Sequence, residues 1–261
     1  MRRFTMWLIP AFALAACNKD ADQGVATRRG DTTSAAAPAS AGPVAIVTVL
    51  YNTPKDTAAF EKYYATTPVP LVTGNQKEIG FVRADLTKFS STGGAKKPTY
   101  YRQAELYFNS LADLKKGIAT PGFRKVADDL PKFATGGLSG LIATASNTHE
   151  TGSAEAPAAI VTVIYKTPKD TTAFEEYYSK THVPLVTSNK DEIGFERAEL
   201  TKFESDLDGS APGRYRQAEL YFPSMDALKK GLATPAFKKV ADDLPKFASG
   251  GFDVLIGAET R

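Results

Sequence analysis

The order of apolar and polar positions divides the chain into short strands and amphipathic helices. Residues 45–51 are β-branched and mostly apolar, which is typical of a buried strand. Phe60, Tyr63 and Tyr64 then recur at helical spacing, with Asp56 or the following threonine placed to cap the helix. The later elements of this half are predicted as strands over 80–89, 101–108 and 138–143, and as helices over 110–117 and 120–131.

The predicted order of elements is that of a ferredoxin-like unit. Pro68 and Pro70 are expected to end the first helix, because proline lacks the backbone N–H and restricts the residue before it. The order is then β-α-β-β-α-β, an α+β unit whose antiparallel sheet carries helices on one face. The other face of such a sheet has to be buried against something.

The same pattern occurs twice in the chain. Residues 45–142 and 159–256 align at a constant offset of 114, without insertions, and about two thirds of the positions are identical. The sheet of each repeat can cover the open sheet face of the other, which predicts an intramolecular pseudo-dimeric α+β barrel. The largest chemical difference between the repeats is Pro68 in the first against His182 in the second.

The N-terminus has the pattern of a secretory signal. Arg2 and Arg3 precede an apolar stretch over 4–16 that is too short to span a bilayer. The run that ends at Cys17 resembles a bacterial lipobox, which implies cleavage before this cysteine and its lipidation; an ordinary secreted protein is the alternative. By the same resemblance, Asn18 favours the periplasmic face of the outer membrane over the inner membrane.

Composition then sets the domain boundaries. After the signal peptide (1–16), residues 17–43 are rich in small and polar types, which indicates a flexible tether. A second such segment, 146–157, separates domain 1 (44–145) from domain 2 (158–261). Each domain is long enough to bury one core, and we expect the two repeats to pair with each other within a monomer.

Charge and cysteine content exclude several classes of function. The 32 Lys and Arg residues include Arg2 and Arg3, so the mature chain carries 30 of them against 29 Asp and Glu, and shows no basic footprint for nucleic acid. Cys17 is the sole cysteine, so once lipidated it excludes a disulfide, a thiolate nucleophile and a cysteine-based metal site.

Several motifs of the second repeat resemble the EthD family of the dimeric α+β barrel superfamily. The most specific stretch is Tyr177-Tyr178, four residues before His182, followed by Pro184. The others are an opening strand that ends in Tyr165, then Pro168-Lys-Asp170, Phe174, the run over 218–222 and the run over 241–247. The resemblance covers nearly all of both repeats and implies the barrel. It does not select a reaction, since related barrels include monooxygenases, isomerases, dehydratases and haem enzymes.

His182 is the candidate acid or base, since the other histidine, His149, falls in the linker. Near the end of a helix it is suited to proton transfer at neutral pH or to hydrogen bonding at the helix C-terminus. Asp242 is a candidate orienter of the ring, although domain 1 keeps its own Asp pair at 128–129 without a histidine, which favours a structural role. We expect no metal and no cofactor; haem ligation by His182 is a weaker alternative.

Alternation along two strands gives the candidate ligand-binding residues. One face of the third strand of domain 2 carries Tyr215, Gln217 and Glu219, and the second strand adds Arg197 and Glu199. We expect this face to point into the barrel, as a polar-aromatic pocket or as Arg–Glu pairs that fix how the halves dock. Domain 1 carries a corresponding set, Arg83, Asp85, Gln103 and Glu105. Tyr178 is expected in the core, at the edge of a cavity.

Two hypotheses of function follow. The first is an envelope lipoprotein that binds a small apolar or aromatic molecule, with His182 assisting a proton transfer in domain 2. The second is a non-catalytic binding or structural module of the cell envelope, in which His182 is an ancestral remnant.

Overall fold

The computed structural model describes residues 44–92, 96–148 and 159–260, and within this part both repeats belong to one compact unit. The predicted signal peptide, Cys17, the tether and most of the predicted linker with His149 lie outside the described residues. No helix of the described chain has the length and apolar character needed to cross a membrane.

Antiparallel strands of the described chain close into a barrel. The strands are β1 (Val44–Asn52), β2 (Arg83–Ser91), β3 (Tyr100–Phe108), β4 (Leu138–Thr148), β5 (Ala159–Tyr165), β6 (Arg197–Asp206), β7 (Arg216–Phe222) and β8 (Phe252–Glu259). Around the barrel their order is β1-β3-β2-β8-β5-β7-β6-β4. The sheet of domain 1 is therefore β4-β1-β3-β2, and the sheet of domain 2 is β8-β5-β7-β6. The predicted pseudo-dimeric α+β barrel is confirmed.

The two sheets are joined by hydrogen-bonded seams. β2 pairs with β8, and β4 pairs with β6 as far as Thr148, which lies opposite Glu199. The first three residues of the predicted linker therefore belong to β4. This extension has a simple cause: a strand that would otherwise end at a sheet edge finds backbone partners on the neighbouring repeat.

Helices cover the outer face of the barrel. They are α1 (Thr57–Thr66), α2 (Pro68–Gly74), α3 (Gln76–Ile79), α4 (Leu111–Ile118), α5 (Pro121–Asp129), α6 (Thr171–Tyr177), α7 (Val183–Ser188), α8 (Lys190–Ile193), α9 (Met225–Leu232) and α10 (Pro235–Phe247). Local sequence fixes several helix starts. Asp56 and Asp170 each accept a backbone N–H three residues on at 2.9 Å, as N-caps do.

The prolines after the first helix act differently in the two domains. In domain 1, α1 ends at Thr66, but Pro68 then begins α2 instead of a loop, because a proline is tolerated in the first turn of a helix. In domain 2 the helix is not interrupted. It passes from α6 through a five-residue π-helical turn, Tyr178–His182, into α7.

Strand alternation creates two kinds of core. Inward-facing residues of both sheets fill the barrel, where the apolar side chains of Ile46, Leu50 and Leu255 lie against one another. Outward-facing residues such as Val47 and Val161 pack beneath the helices, in separate layers for the two domains. The candidate chemistry lies in one of these outer layers.

Candidate functional site

A cavity of about 230 Å³ lies between the outer face of the domain 2 sheet and its helices. The sheet contributes alternate residues of four strands, and α7 and α10 close the other side. The lining residues are Val163, Tyr165, Tyr178, His182, Val183, Val186, Thr187, Ala198, Leu200, Ala218, Leu220, Phe237, Val240, Ala241, Leu244 and Val254. The space exists because β6 and β7 present alanine at Ala198 and Ala218 beneath the helices. Its walls are almost wholly apolar, which selects an apolar ligand.

The π-helical turn brings His182 into this cavity. The backbone N–H of Val183 donates to the carbonyl of Tyr178, five residues earlier. Pro184 follows directly, and a proline crowds the carbonyl four residues before it and supplies no N–H. The wider turn adds one residue ahead of this proline, and such turns are frequent at functional sites.

His182 forms a buried dyad with Asp243 of α10. The Nδ1 atom of the histidine lies 2.9 Å from Oδ2 of the aspartate. Asp243 also accepts from the Tyr177 hydroxyl at 2.9 Å and pairs with the Lys246 ammonium at 3.1 Å. This carboxylate therefore orients the imidazole, as carboxylates beside catalytic histidines do.

The protonation of the dyad follows from its surroundings. Burial lowers the pKa of His182 and outweighs the opposite effect of Asp243, so the ring is neutral at pH 7. Burial acts to raise the pKa of Asp243, but hydrogen bonds from His182, Tyr177 and Lys246 hold it below its usual value. The dyad is thus a neutral imidazole against an ionised carboxylate, the state of a general base.

The prediction that Asp242 orients the His182 ring was wrong, because the side chain of Asp242 is exposed and pairs with Lys238 on the same helix. The buried stripe of α10 runs through Val240, Leu244 and Phe247. Asp243 belongs to that stripe, three residues after one of its members and one before the next. Helical periodicity in the sequence is therefore the signal that would have selected Asp243.

His182 and Tyr178 each bring a polar group to the largely apolar lining of this cavity. Since Nδ1 of His182 is held by Asp243, its Nε2 is the nitrogen left for a ligand. The hydroxyl of Tyr178 is buried and has no hydrogen-bond partner among the described residues. Burial raises the pKa of this phenol, so it remains a neutral donor. An unpaired buried hydroxyl is costly, and a ligand oxygen would satisfy it.

Domain 1 keeps the aspartate of the dyad without its histidine. Asp129 accepts from the Tyr63 hydroxyl at 3.0 Å and from Lys132 at 2.9 Å, as Asp243 does from its own neighbours. Its Oδ2 atom, the counterpart of the one that meets His182, is buried without a hydrogen-bond partner. Pro68 stands where the histidine would be and cannot supply a proton.

Three of the other predicted ligand-binding residues, Gln217, Glu219 and Glu199, lie inside the barrel, away from the cavity. Gln217 donates to Glu105 at 3.1 Å, and Gln103 donates to Glu219 at 3.0 Å. Glu199 accepts from Arg83 of domain 1 at 3.1 Å. Each of these contacts joins the two repeats, which favours the docking interpretation over a polar pocket.

Arg197 and Tyr215 take different positions. Arg197 lies inside the barrel, with its guanidinium 3.6 Å from the centre of the Tyr221 ring. The placement of Tyr215 inside the barrel was wrong. Its ring packs outside, 5.2 Å from Phe174, and its hydroxyl donates to Glu175 at 2.7 Å. Tyr101, its counterpart in domain 1, also packs outside although it lies within β3, because a register irregularity there breaks the alternation at this end of the strand.

The barrel centre holds a group of carboxyls that share protons. Oxygens of Glu105, Glu199 and Glu219 lie within 4.8 Å of one another, the spacing of a metal-ion site. Every one of these oxygens already has a hydrogen-bond partner in the protein, so protein groups occupy the place that an ion would take. Tyr107 approaches Glu105 at 3.1 Å and Glu199 at 2.7 Å with a single hydroxyl hydrogen. The second contact needs a carboxyl proton. Burial and neighbouring carboxylates raise the pKa of Glu219 to about 7.

Comparison with known proteins agrees with the repeats. The EthD domain model matches residues 52–137 and 166–251, together more than half of the chain. An uncharacterized 11.0 kDa protein of Rhodococcus erythropolis, from the thcB-thcC intergenic region, is 39% identical over 99 residues, which cover 38% of this chain and 92% of that protein.

Two solved structures are similar. An ethyl tert-butyl ether (EthD) family protein of Bacillus halodurans has 26% identity over 40% of this chain and 99% of its own, with a TM-score of 0.37. An anthrone oxidase-like protein has 14% identity and a TM-score of 0.56, over 84% of this chain and 92% of its own. The second match spans both repeats and concerns the fold alone.

Proposed function

The chain belongs to the EthD family and carries the domain of that family twice, and from this premise we propose that domain 2 binds a small apolar or aromatic molecule and assists a proton transfer on it. The observation that carries the proposal is the His182–Asp243 dyad, with its 2.9 Å contact, at the wall of an apolar cavity of about 230 Å³. Domain 1 lacks the histidine, so the protein has one reactive centre.

The cavity limits the ligand to a compact molecule. A dry cavity of about 150 Å³ lined by aliphatic and aromatic side chains admits one benzene ring, so 230 Å³ suits a ligand of one or two rings. The unpaired hydroxyl of Tyr178 calls for a ligand oxygen. A ketone or phenol attached to an apolar skeleton has both features.

The proton transfer uses three side chains. Nε2 of neutral His182 takes a proton from an acidic C–H or O–H of the ligand, and the electron pair of that bond moves to the ligand oxygen. The Tyr178 hydroxyl donates a hydrogen bond to this oxygen as its charge develops. Asp243 stabilises the imidazolium that forms. Return of the proton to the ligand restores the starting state, and no further reactant is needed.

The test is exchange of ligand hydrogen with solvent. The mature protein is incubated in D₂O with a panel of aryl ketones, beginning with acetophenone, and deuterium at the carbon beside the carbonyl is followed by NMR. We expect exchange above the rate in buffer, and a loss of about 10² to 10⁴-fold in His182→Gln. Titration of the same ketones separates binding from reaction.

The outcomes are distinct. Binding and exchange that both survive in His182→Gln contradict a role for the histidine. Ketones that bind without exchange in the unaltered protein support the alternative, a non-catalytic binding module of the envelope. One observation favours that alternative: the barrel interior is filled by contacts between the repeats, such as Gln103 to Glu219, which suits a structural scaffold.

The proposal also includes a location. We propose that the protein is anchored through lipidated Cys17 to the periplasmic face of the outer membrane, on the strength of the lipobox-like run and Asn18. Cys17→Ser is expected to release the protein from membranes, and metabolic labelling with palmitate is expected to label the unaltered chain only. Membrane association that persists in Cys17→Ser without label contradicts the anchor, and flotation with inner-membrane vesicles contradicts the assigned membrane.

A further inference from the structure

The cavity of domain 2 has a counterpart in domain 1 with nearly the same walls. This second cavity, of about 90 Å³, lies between the domain 1 sheet and its helices. Fifteen lining positions recur in both cavities, and fourteen of them carry the same residue; the exception is Pro68 against His182. Walls of the same composition accept the same class of ligand, yet the space in domain 1 is less than half as large.

A side chain from the other domain reaches into this smaller space. Leu207 follows β6 of domain 2, and it is the one residue of domain 2 that lines the cavity of domain 1. Its backbone N–H donates to the carbonyl of Gly140 in β4 at 2.9 Å. In the domain 2 cavity the corresponding place is taken by Val254, from that domain's own sheet.

Gly140 makes room for this insertion. A Cβ atom at this position would lie 2.4 Å from Cδ1 of Leu207, so the leucine side chain would have to shift to admit it. The residue that corresponds to Gly140 in domain 2 is Val254, and the one that corresponds to Leu207 is Gly93, which has no side chain to insert. At both of these positions domain 1 carries glycine and domain 2 carries the larger residue.

We propose that the domain 1 cavity is a second binding site for a compact apolar or aromatic ligand, closed in the resting protein by Leu207 of domain 2. The ligand class rests on the proposed function of domain 2, whereas the closure rests on the contact with Gly140. The site lacks a base, because Pro68 replaces the histidine, so it binds without reacting. The unaltered chain accordingly takes one ligand, and a chain without the leucine side chain takes two.

The experiment uses iodobenzene, whose iodine gives an anomalous signal that locates each bound molecule in soaked crystals. The unaltered protein is expected to show iodine in domain 2 only, and Leu207→Ala in both domains. Adding Ala104→Phe to Leu207→Ala fills the domain 1 cavity and is expected to remove the new peak. The matched change Ala218→Phe fills the domain 2 cavity and is expected to leave the new peak in place.

The possible results of this experiment distinguish closure of the domain 1 cavity from the proposed function of domain 2. Absence of iodine from domain 1 in Leu207→Ala overturns the closure, whatever domain 2 does. Iodine in domain 1 of Leu207→Ala with none in domain 2 supports the closure and counts against the proposed site of domain 2. Iodine in domain 1 of the unaltered protein shows that the leucine closes nothing.

A stability measurement checks the contact by itself. Gly140→Ala places a methyl group against the leucine and is expected to lower the melting temperature. The double variant Gly140→Ala with Leu207→Ala removes the clash. Its loss in melting temperature is therefore expected to be smaller than the sum of the losses in the two single variants. Additive losses would contradict the close contact, and this readout holds even if Leu207→Ala fails to crystallise.

Discussion

Domain 1 and domain 2 have the same architecture and unequal chemistry. Both place an aspartate, Asp129 or Asp243, beneath a helical turn, with a tyrosine and a lysine bound to it. Only domain 2 adds a histidine and keeps a cavity of about 230 Å³. The unpaired Oδ2 of Asp129 shows this difference, since domain 1 has the carboxylate without a histidine partner. Scaffold and chemistry have therefore diverged separately.

In the barrel interior, by contrast, the two domains make equivalent polar contacts. Gln103 to Glu219 and Gln217 to Glu105 are the same contact made twice, once from each side. A change in one repeat leaves a buried polar group of the other unpaired, which costs free energy. This coupling favours the same residues at these positions in both repeats.

Exchanging the residues that distinguish the cavities should give the largest effect. His182→Pro makes domain 2 resemble domain 1, and we expect exchange of ligand hydrogen to fall by about 10² to 10⁴-fold, because the base is lost. Affinity for the same ketone should change far less, since the apolar walls remain. Deuterium exchange and ligand titration measure the two quantities.

The reciprocal change, Pro68→His, serves as the control. It offers a partner to the unpaired oxygen of Asp129 but leaves the cavity at its small volume, so exchange should not appear in domain 1. Exchange in a chain that carries both changes would contradict the assignment of the reaction to domain 2.

The aspartates provide the next test. Asp243→Asn should slow exchange by about 10 to 100-fold, because the imidazole loses the carboxylate that orients it. The carboxylate also raises the pKa of His182, against the larger effect of burial. Exchange by the neutral base rises with pH through this pKa, so its acid limb should move to lower pH in Asp243→Asn.

Asp129→Asn is the matched control in domain 1. It changes a carboxylate with the same tyrosine and lysine partners, so its effect on folding resembles that of Asp243→Asn. Exchange and its pH profile should remain unaltered. Equal losses of exchange in the two variants would indicate that the aspartates act only through the fold.

The shared barrel predicts a pH effect on stability. The pKa of Glu219 is raised to about 7, so the folded state binds this proton more tightly than the unfolded chain does. The stability that the protonated group contributes is full below about pH 4.5 and is lost as the pH rises towards 7. Glu219→Gln should therefore gain stability relative to the unaltered protein between pH 5 and 8, as measured by urea unfolding.

Glu105→Gln is the counterpart of this change in the other repeat. Burial and Glu219 also raise the pKa of Glu105, so the trend should have the same sign. A gain that is confined to acid pH in either variant would contradict a shared proton in the barrel.

The smallest difference is expected where the domains match most closely. Glu61 accepts from Arg102 at 2.6 Å in domain 1, and Glu175 accepts from Arg216 at 2.6 Å in domain 2. Glu61→Gln and Glu175→Gln should each lower the free energy of unfolding by roughly 1 kcal/mol, since these pairs are partly exposed. Equilibrium unfolding should give losses in the free energy of unfolding within about 0.5 kcal/mol of each other. A larger difference would show that the two ion pairs are not equivalent.

Parts of the site were predictable and parts were not. The resemblance to the EthD family singled out Tyr178 and His182 in one segment, and the comparison of repeats identified the histidine as the unequal position. The choice of Asp242 over Asp243 failed because an adjacent pair leaves the buried member undecided until the apolar stripe of α10 is followed. Tyr215 failed because the alternation breaks at this end of the strand, as the register irregularity beside Tyr101 shows in domain 1.

The sequence by itself determined the duplication, the order of elements and the closed barrel, because these depend on local periodicity and on the need to bury one face of each sheet. Tertiary structure alone decided that an aspartate of α10 meets His182, since that contact depends on how α10 lies against the π-helical turn. It also decided that Leu207 lies against Gly140, 67 positions away in the sequence, and which polar groups of the two repeats pair inside the barrel. Such contacts join residues that are distant along the chain, and local patterns carry no record of them.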